Sequence, residues 1–407
     1  MIERAQRAIA ECRRIATMSE EPGRSTRRFL TLPMHDVHAL LTDRMSALGI
    51  TVHIDAMGNL RGLWRPPHAG KKRLLLGSHI DTVPDAGAFD GVLGVTLELE
   101  WVELARELNL PLAIELIAFS EEEGVRYGVP FLGSRAVTGT FDKSLLARED
   151  SNGVRMEDAI RAFGLDPARI DEAALDQNVL GFVEIHIEQG PVLEAENLQL
   201  AVVEGIVGQT RMAFRFTGHA NHAGTTPMHL RHDALTTAAE WICAVETTAK
   251  DEAGLVATVG KLDLKPNAGN VIPGQVDLSL DVRHMKDSTR THWVRHLISE
   301  AQLAAHKRGV KVEWDLKLDQ PAVEMDPFLS DQLALALDDA GFPVKRMPSG
   351  AGHDAMVMAA RMPTAMLFLR SPGGISHHPD EAVREEDVEA ALHVGRKFLE
   401  RLAAGLG

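Results

Sequence analysis

Histidine and aspartate side chains follow an apolar run, residues 74–76, that is typical of a buried strand. His79 and Asp81 come next, and a spacing of two on a strand places both side chains on one face. Asp90 follows a short loop rich in glycine and proline, and a helical pattern begins after it. Open α/β sheets place their sites at the carboxyl ends of such strands. We therefore interpret His79 and Asp90 as metal ligands and Asp81 as the residue that orients the His79 ring.

Three more predicted strand ends carry histidine or glutamate side chains. They are Glu121-Glu122-Glu123 after residues 112–119, His186 within residues 182–190, and His377 after residues 364–369. The second of these strands alternates between apolar and polar positions, with its histidine on the polar face. Clustered carboxylates repel one another, which separates their pKa values. One glutamate can then bind a metal while its neighbour stays free as a base.

Together the four strand ends offer three histidines and two carboxylates, a ligand set that fits two metal ions sharing one carboxylate. Two-metal sites suit hydrolysis, because the ions lower the pKa of a shared water and polarise the scissile carbonyl. Imidazole with carboxylate suits zinc, and manganese, cobalt or nickel could occupy the same ligands. The sequence contains no G-x-S-x-G, P-loop, G-x-G-x-x-G or H-E-x-x-H pattern, which argues against a serine hydrolase, a nucleotide-binding protein or a zincin.

The composition is that of a globular protein without a nucleic-acid or membrane surface. Over 407 residues the formal net charge is −15, whereas nucleic acids and anionic membranes are bound by basic patches. Cys12 and Cys243 are the only cysteines and lie far apart, so we expect no disulfide framework and a cytoplasmic location. No apolar run approaches membrane-spanning length, and the first twenty residues do not resemble a signal peptide.

The order of the predicted elements indicates two domains. A β-α-β-β-α-β pattern occupies residues 208–319 and resembles a ferredoxin-like insert. Strands and helices alternate before and after it, as in an α/β domain whose central, mostly parallel sheet is flanked by helices. We therefore expect a catalytic domain at residues 1–207 and 320–407 and an inserted α+β domain at residues 208–319.

Nine longer sequence patterns resemble one known family. They are, in chain order, GSHIDTV, FDG, SEEEG, HIEQGPVLE, GHANHAGTTPM, NVIPG, DVRH, SGAGHDAM and GGISHHPDE. Their order and wording resemble the dizinc hydantoinase/carbamoylase family, within the wider clan of dizinc aminoacylases and carboxypeptidases. The resemblance implies an α/β catalytic domain with a smaller lid and dimerisation domain, two divalent metal ions per subunit, and a homodimer that binds a small-molecule substrate.

The resemblance also assigns the metal ligands and the general base. The implied ligands are His79 and His186 for the first metal, Asp90 for both metals, and Glu123 and His377 for the second metal. Glu122 is implied as the base that takes a proton from the bridging water and gives it to the leaving nitrogen. The family pattern selects these two of the three consecutive glutamates, since it puts the base directly before the metal-binding glutamate that precedes glycine.

Substrate contacts are implied at several loops. His222 resembles the lid residue that stabilises the oxyanion, and the resemblance leaves open whether the partner subunit supplies it; His219 is the nearby alternative. Arg283 resembles the arginine that binds the substrate carboxylate. The spacing alone also allows it to pair with Asp281, which shares its face of the strand. The further implied substrate contacts are Gln189, Asn270 and Gly352.

We therefore expect a metal-dependent amidohydrolase that cleaves a carbamoyl (ureido) C–N bond beside a carboxylate. The sequences FLRSPGGISHHPDE and PSGAGHDAM look most like those of allantoate amidohydrolases, which release ammonia and carbon dioxide. Allantoate has two ureido arms, and Arg370, if it points inward, could bind the carbonyl of the second arm. The alternatives are an N-carbamoyl-L-amino acid hydrolase or β-ureidopropionase, and then an aminoacylase or dipeptidase. A metal-binding scaffold without catalysis is the alternative from another class, although no implied ligand or base is missing.

Overall fold

The computed structural model describes residues 1–405. The chain forms two compact units, each with its own hydrophobic core. The first unit contains residues 1–204 and 324–405, and the second unit contains residues 205–323. Within the described part of the chain, no helix combines the length and the apolar character that crossing a membrane requires.

The helices of both units range from one to six turns. The α-helices are α1 (Ile2–Ala16), α2 (Leu32–Ala47), α3 (Val92–Glu107), α4 (Leu132–Val137), α5 (Met156–Ala162), α6 (Val192–Ala195), α7 (Ala234–Asp251), α8 (Asp287–Arg308), α9 (Pro327–Asp339), α10 (Asp354–Met358) and α11 (Glu385–Ala404). Short 3-10 helices occur at Lys143–Ala147, Pro167–Ala173, Met228–Leu230 and Pro372–Gly374.

The strands of residues 1–405 belong to three sheets, one in the first unit and two in the second. They are β1 (Thr51–Ile54), β2 (Leu60–Trp64), β3 (Arg73–His79), β4 (Ala113–Phe119), β5 (Val179–Ile187), β6 (Leu200–Ile206), β7 (Gly208–Thr217), β8 (Asn221–His222), β9 (Val256–Thr258), β10 (Leu262–Lys265), β11 (Val271–Ile272), β12 (Gln275–His284), β13 (Lys311–Gln320), β14 (Val323–Glu324), β15 (Arg346–Ser349) and β16 (Thr364–Leu369).

The first unit is built on a sheet with the strand order β1-β2-β4-β3-β5-β16-β6-β14, and β15 pairs with β6. The four central strands, β4, β3, β5 and β16, run parallel to one another. All residues of β3, β4 and β16 are buried, because parallel strands are covered by helices on both faces, and this explains their nearly continuous apolar runs. The prediction of a mixed α/β fold with a mostly parallel central sheet is confirmed.

The second unit contains an antiparallel sheet with the strand order β10-β12-β7-β13, and β9 also pairs with β12. Alternate residues of β12 are buried, as expected for a sheet covered on one face. The core on that face includes Phe214, Phe216 and Trp241. Two short strands, β9 and β10, follow each other along β12, because the chain leaves the ladder around Gly260.

Candidate metal centre and active site

The central strands of the first unit end at one edge of the sheet, and their ends carry the predicted metal ligands. His79 is the last residue of β3, and His186 is the second last residue of β5. Residues 121–123 follow β4, and His377 follows β16. Because these four strands are neighbours and run parallel, their carboxyl ends lie side by side.

Asp90 lies between three histidine rings. Its Oδ1 is 3.7 Å from Nε2 of His79 and 3.3 Å from Nε2 of His186, and its Oδ2 is 3.2 Å from Nε2 of His377. The Nε2 atoms of His79 and His186 are 3.4 Å apart. Ligands placed tetrahedrally about 2.0–2.1 Å from a zinc ion lie about 3.3–3.4 Å from one another. The spacing of Asp90, His79 and His186 matches such a site. His79, His186 and Asp90 form one group of candidate ligands.

Asp90 belongs at the same time to a second group, which it forms with Glu123 and His377. Nε2 of His377 is 3.6 Å from Oε1 of Glu123. The His377 side chain is 48% exposed, whereas the rings of His79 and His186 are buried. The second group therefore faces solvent and the first is enclosed.

The histidine rings of the first group keep a lone pair directed at Asp90. Nδ1 of His79 donates to the backbone carbonyl of Asp81 at 3.0 Å, and Nδ1 of His186 donates to that of Ile187 at 2.9 Å. Since a carbonyl can only accept, each neutral ring has its proton on Nδ1 and its lone pair on Nε2. Two lone pairs that face each other and a carboxylate are a donor set for a divalent cation. The residues present therefore fit a metal ion.

The ionisable groups around Asp90 shift one another's pKa values. Burial opposes the charged form of Asp90, but the neighbouring rings of His377, His79 and His186 outweigh it and hold the Asp90 pKa well below its usual range. Burial lowers the pKa of His186 to about 4. Burial, together with the charge of Asp90, raises the pKa of Glu123 to about 7. The hydrogen bond to Asp90 raises the pKa of His377 to about 8. A divalent cation would supply the positive charge that these carboxylates lack.

Asp81 connects two of the strand ends. Its Oδ1 accepts the backbone N–H of Glu122 at 3.0 Å, and its Oδ2 accepts that of Glu123 at 3.1 Å. The hydrogen bond that orients the His79 ring goes to the backbone carbonyl of Asp81, while the carboxylate lies 3.4 Å from the same Nδ1. Asp81 thus holds both the ring of one candidate ligand, His79, and the loop that carries another, Glu123.

Glu122 lies within the ligand cluster but belongs to neither of the two groups around Asp90. Its carboxylate forms a separate group with His79 and Glu123, in which all ligand atoms lie within 4.8 Å of one another. Glu121 is buried too but belongs to none of these groups. Burial raises the pKa of Glu122 well above its usual range, and the charges of Glu123 and Asp354 add to this effect. A carboxylate with a raised pKa beside a metal centre can act as a general base and acid.

Gln189 lies at the centre of the cluster. Its Nε2 donates to Oδ1 and Oδ2 of Asp90 at 3.2 and 3.1 Å and lies 3.3 Å from Oγ of Ser376. The backbone of Gln189 has a φ of 57°, which turns the chain sharply after β5. The side chain is therefore anchored on Asp90, the residue that both candidate groups share.

Gly352 precedes the start of α10 in the first unit. A Cβ there would lie 2.9 Å from Cζ of Phe131, so a larger residue would have to displace that ring. The next residue, His353, is buried with its ring centroid 4.5 Å from that of His186. The structure thus brings the Gly352 turn next to a candidate ligand.

The suggested role of Arg370 is wrong. Its guanidinium is buried against the start of α11, where Nε and Nη2 donate to the two carboxylate oxygens of Asp387 at 2.9 and 2.6 Å. Glu386 accepts a further hydrogen bond at 3.1 Å. A buried guanidinium needs such a partner, because a charge without one is costly to remove from water.

Three predicted substrate residues belong to the second unit, and two of them lie side by side. His222 pairs with Val271 in the short ladder between β8 and β11, and the backbone carbonyl of Asn270 accepts the N–H of Ala223 at 2.9 Å. Nδ1 of His222 accepts the N–H groups of Gly224 and Thr225, at 3.0 and 3.2 Å. The ring proton is therefore on Nε2, which is an available donor.

Arg283 lies on β12, away from this ladder. Its Nε and Nη2 donate to Oδ1 and Oδ2 of Asp281 at 2.8 and 3.0 Å, and Arg211 also donates to Asp281, at 3.0 Å. The pairing that the strand spacing allowed is the one the structure contains. The guanidinium of Arg283 can donate two parallel hydrogen bonds to a carboxylate, and it already makes such a pair with Asp281.

Glu381 is a residue near the cluster that the sequence did not single out. It is buried, and its Oε1 accepts the backbone N–H groups of Phe89 and Asp90 at 2.8 and 3.0 Å. Burial and the charge of Asp90 raise its pKa to about 7. An acidic residue four positions after His377 was the available signal, but loop residues have no periodicity from which their direction could be derived.

Comparison with known proteins places the chain among metal-dependent amidohydrolases and peptidases. A model of peptidase family M20/M25/M40 matches residues 75–401. Allantoate deiminase of Arabidopsis thaliana is 37% identical and covers 97% of this chain and 81% of its own length. N-carbamoyl-L-amino acid amidohydrolase of Geobacillus stearothermophilus is 35% identical over 94% of both chains. The crystal structure of a hydantoinase/carbamoylase family amidase from Burkholderia multivorans aligns with a TM-score of 0.92 at 30% identity, over 98% of this chain and 97% of the other.

Proposed function

We propose a specific reaction for this chain, which belongs to peptidase family M20/M25/M40: hydrolysis of a carbamoyl (ureido) C–N bond beside a carboxylate. The chain is a metal-dependent hydrolase that acts on carbon–nitrogen bonds other than peptide bonds. Allantoate is the proposed substrate, and the products are ammonia, carbon dioxide and the amine that remains when one ureido arm is cleaved. The relative from Arabidopsis thaliana, an allantoate deiminase, supports this choice.

The observation that carries the proposal is the pair of ligand groups that share Asp90, with the carboxylate of Glu122 beside them. We propose two divalent ions, one held by His79, His186 and Asp90 and the other by Asp90, Glu123 and His377. Zinc suits this set of imidazole and carboxylate ligands, and manganese, cobalt or nickel are the alternatives. When bound, the ions polarise the scissile carbonyl and make water a better nucleophile.

Glu122 moves the proton in the proposed reaction. Its carboxylate takes a proton from the attacking water as the tetrahedral species forms and returns it to the leaving nitrogen as the C–N bond breaks. The raised pKa of Glu122 suits both steps, because a stronger base accepts the proton more readily and burial keeps bulk water from intercepting it.

We propose that the remaining residues hold the substrate. Arg283 would exchange the carboxylate of Asp281 for the substrate carboxylate, and His222 would donate from Nε2 to the developing oxyanion. Asn270 and the backbone of Gly352 are proposed as further contacts. Gln189 would contact the substrate only after leaving Asp90, which a bound cation would favour by competing for the same oxygens.

The quaternary arrangement and the location are part of the proposal. By resemblance to the hydantoinase/carbamoylase family, residues 208–319 would form a lid and dimerisation domain and the remainder the catalytic domain of a homodimer. His222 would then act within its own subunit or across the dimer. A cytoplasmic location rests on the two free cysteines, Cys12 and Cys243.

Ammonia release by the purified, metal-reconstituted protein tests the reaction. Allantoate and a set of N-carbamoyl-L-amino acids would be compared at equal concentration, and we expect the highest kcat/KM with allantoate. Preference for a carbamoyl amino acid, the activity named for the Geobacillus stearothermophilus relative, would keep the metal centre and replace the substrate. Turnover of acyl-amino acids or dipeptides alone would contradict the ureido specificity.

A further inference from the structure

We infer that Glu381 is a positioning residue that fixes the backbone of Asp90 and so aims the carboxylate that both ligand groups share. The inference rests on the proposed function in one respect, that Asp90 binds metal. No role for Glu381 follows from the reaction itself, since its carboxylate faces the backbone of the Asp90 loop instead of the cluster.

The contact is specific to the loop that carries the shared ligand. Oε1 of Glu381 accepts both the N–H of Phe89 and the N–H of Asp90, at 2.8 and 3.0 Å. Glu381 is only 5% exposed, so water cannot replace it as the acceptor for these two amides. Loss of Glu381 would leave two buried donors without partners, and the loop would move to satisfy them.

Glu381 also couples the Asp90 loop to the loop of another ligand. It lies four residues after His377, and its own N–H donates to the carbonyl of His378 at 3.0 Å, which closes a turn. Nε2 of His377 lies 3.2 Å from Oδ2 of Asp90. One short segment therefore contacts Asp90 twice, at its backbone amide and at its carboxylate.

The close approach of Glu381 to the Asp90 loop requires glycine at position 87. A Cβ at that position would lie 2.3 Å from Cβ of Glu381 and 2.5 Å from its Oε1, distances that real side chains do not tolerate. The Asp90 loop thus approaches Glu381 as closely as a backbone can. Ligand placement within about 0.5 Å is what a functional metal site requires, and a contact of this kind provides it.

Three substitutions separate the acceptor from the bulk and the charge. E381Q keeps an oxygen at the acceptor position, and the amide nitrogen would replace Oε2, which is buried and has no hydrogen-bond partner in the described part of the chain. E381L keeps the bulk but removes the acceptor. E381D keeps the charge but is one methylene too short to reach the Asp90 loop.

The measurement is the affinity of the stripped protein for Co²⁺ and Zn²⁺, by competition with a chromophoric chelator, together with the visible spectrum of the Co²⁺ form. We expect E381L and E381D to bind about 10- to 100-fold more weakly than the wild type, as losses of outer-shell partners do. E381Q should bind like the wild type and keep its Co²⁺ spectrum. D233A is the matched control, since Asp233 also accepts two backbone N–H groups, at 2.9 and 3.1 Å, but at the start of α7 in the second unit.

Wild-type affinity in E381L and E381D would overturn the inference, and so would an E381Q protein as weak as E381L. Thermal unfolding of the stripped proteins shows whether each variant folds; if E381L does not, the comparison of E381D with E381Q decides. A wild-type protein that binds no divalent ion would refute the proposed function itself. That result is distinct from tight binding that is indifferent to residue 381, which refutes only the positioning role.

Discussion

Two acidic regions, one within strand β4 and one just after it, differ in the groups that balance their charge. Glu115, in the middle of the strand, is enclosed by two arginines: Nε and Nη2 of Arg61 donate to its Oε1 at 2.8 and 2.6 Å, and Arg73 donates to its Oε2. A few residues later Glu122 is buried and the Glu123 side chain is 9% exposed, but the nearby groups that favour their charged forms are histidine rings.

This difference teaches that burial of a carboxylate alone does not mark a functional site. At Glu115 the counter-charge is built into the chain, so the pair is satisfied and inert. At the strand end the chain supplies carboxylates and imidazoles with lone pairs but too little fixed positive charge. A site that must bind a cation has to be incomplete without it, whereas a structural ion pair has to be complete.

Glu122→Gln should have the largest effect at the incomplete region. The amide cannot accept the proton of the attacking water, so kcat should fall by about 10²- to 10⁴-fold, the usual contribution of a general base. Metal content should stay at the wild-type level, because the proposed ligands are untouched. Steady-state kinetics and metal analysis on the same preparation measure both quantities.

Glu123→Gln is the neighbour control for that result, since it should lower metal content as well as turnover. If Glu122→Gln retains substantial turnover, the assignment of the base is wrong. If it loses metal instead, Glu122 is a ligand and the two glutamates exchange their roles.

Glu115→Leu should have the converse effect. Two buried guanidinium groups would lose their shared partner, which costs about 3–5 kcal/mol in the free energy of unfolding. The residues around Asp90 lie beyond the end of the strand, so kcat per folded molecule should not change. Urea denaturation measures the first quantity and active-site-normalised kinetics the second. A strong loss of kcat at unchanged stability would contradict the division between the two regions.

Two arginines, each paired with an aspartate, allow a similar comparison between a proposed substrate-binding residue and a structural one. Arg283 is 28% exposed and paired with Asp281, and Arg370 is 3% exposed and paired with Asp387. Arg283→Ala should weaken binding of carboxylate substrates by roughly 2–4 kcal/mol, as loss of a charge-assisted contact does, and this would appear in KM. Arg370→Met should lower stability and leave KM unchanged. An unchanged KM in Arg283→Ala would remove that residue from the proposed site.

Much of this arrangement could be predicted from the sequence, because a strand fixes where its side chains point. His79 and His186 end strands whose apolar pattern defines the buried faces, so their placement at one sheet edge followed from alternation and parallel order. The family pattern separated Glu122 from Glu121, which alternation could not do once the strand had ended at residue 119.

Loop geometry set the limit of that prediction. Arg370 lies one residue beyond β16, where the strand pattern no longer determines direction, and its turn toward Asp387 depends on a helix that starts fifteen residues later. Gln189 adopts a positive φ, which cannot be predicted from a glutamine in the sequence. The contact of Glu381 with the Asp90 loop joins segments 291 residues apart, and no local pattern records it.

His38 gives the smallest effect and isolates burial from function. This residue of α2 is buried in the first unit beside the ring of Phe163, at 5.6 Å between centroids, and burial lowers its pKa to about 4. The unfolded chain binds a proton near pH 6.5 and the folded chain does not, so the stability present above pH 6.5 is lost as the pH falls toward 4. At pH 5 the loss amounts to about 2 kcal/mol relative to pH 8.

His38→Leu should reduce this acid destabilisation, as measured by urea unfolding at the two pH values, without changing kcat at pH 8. Equal pH dependence in both proteins would show that the ring finds a partner or water when protonated, and burial in α2 would then cost nothing, in contrast to the cluster around Asp90.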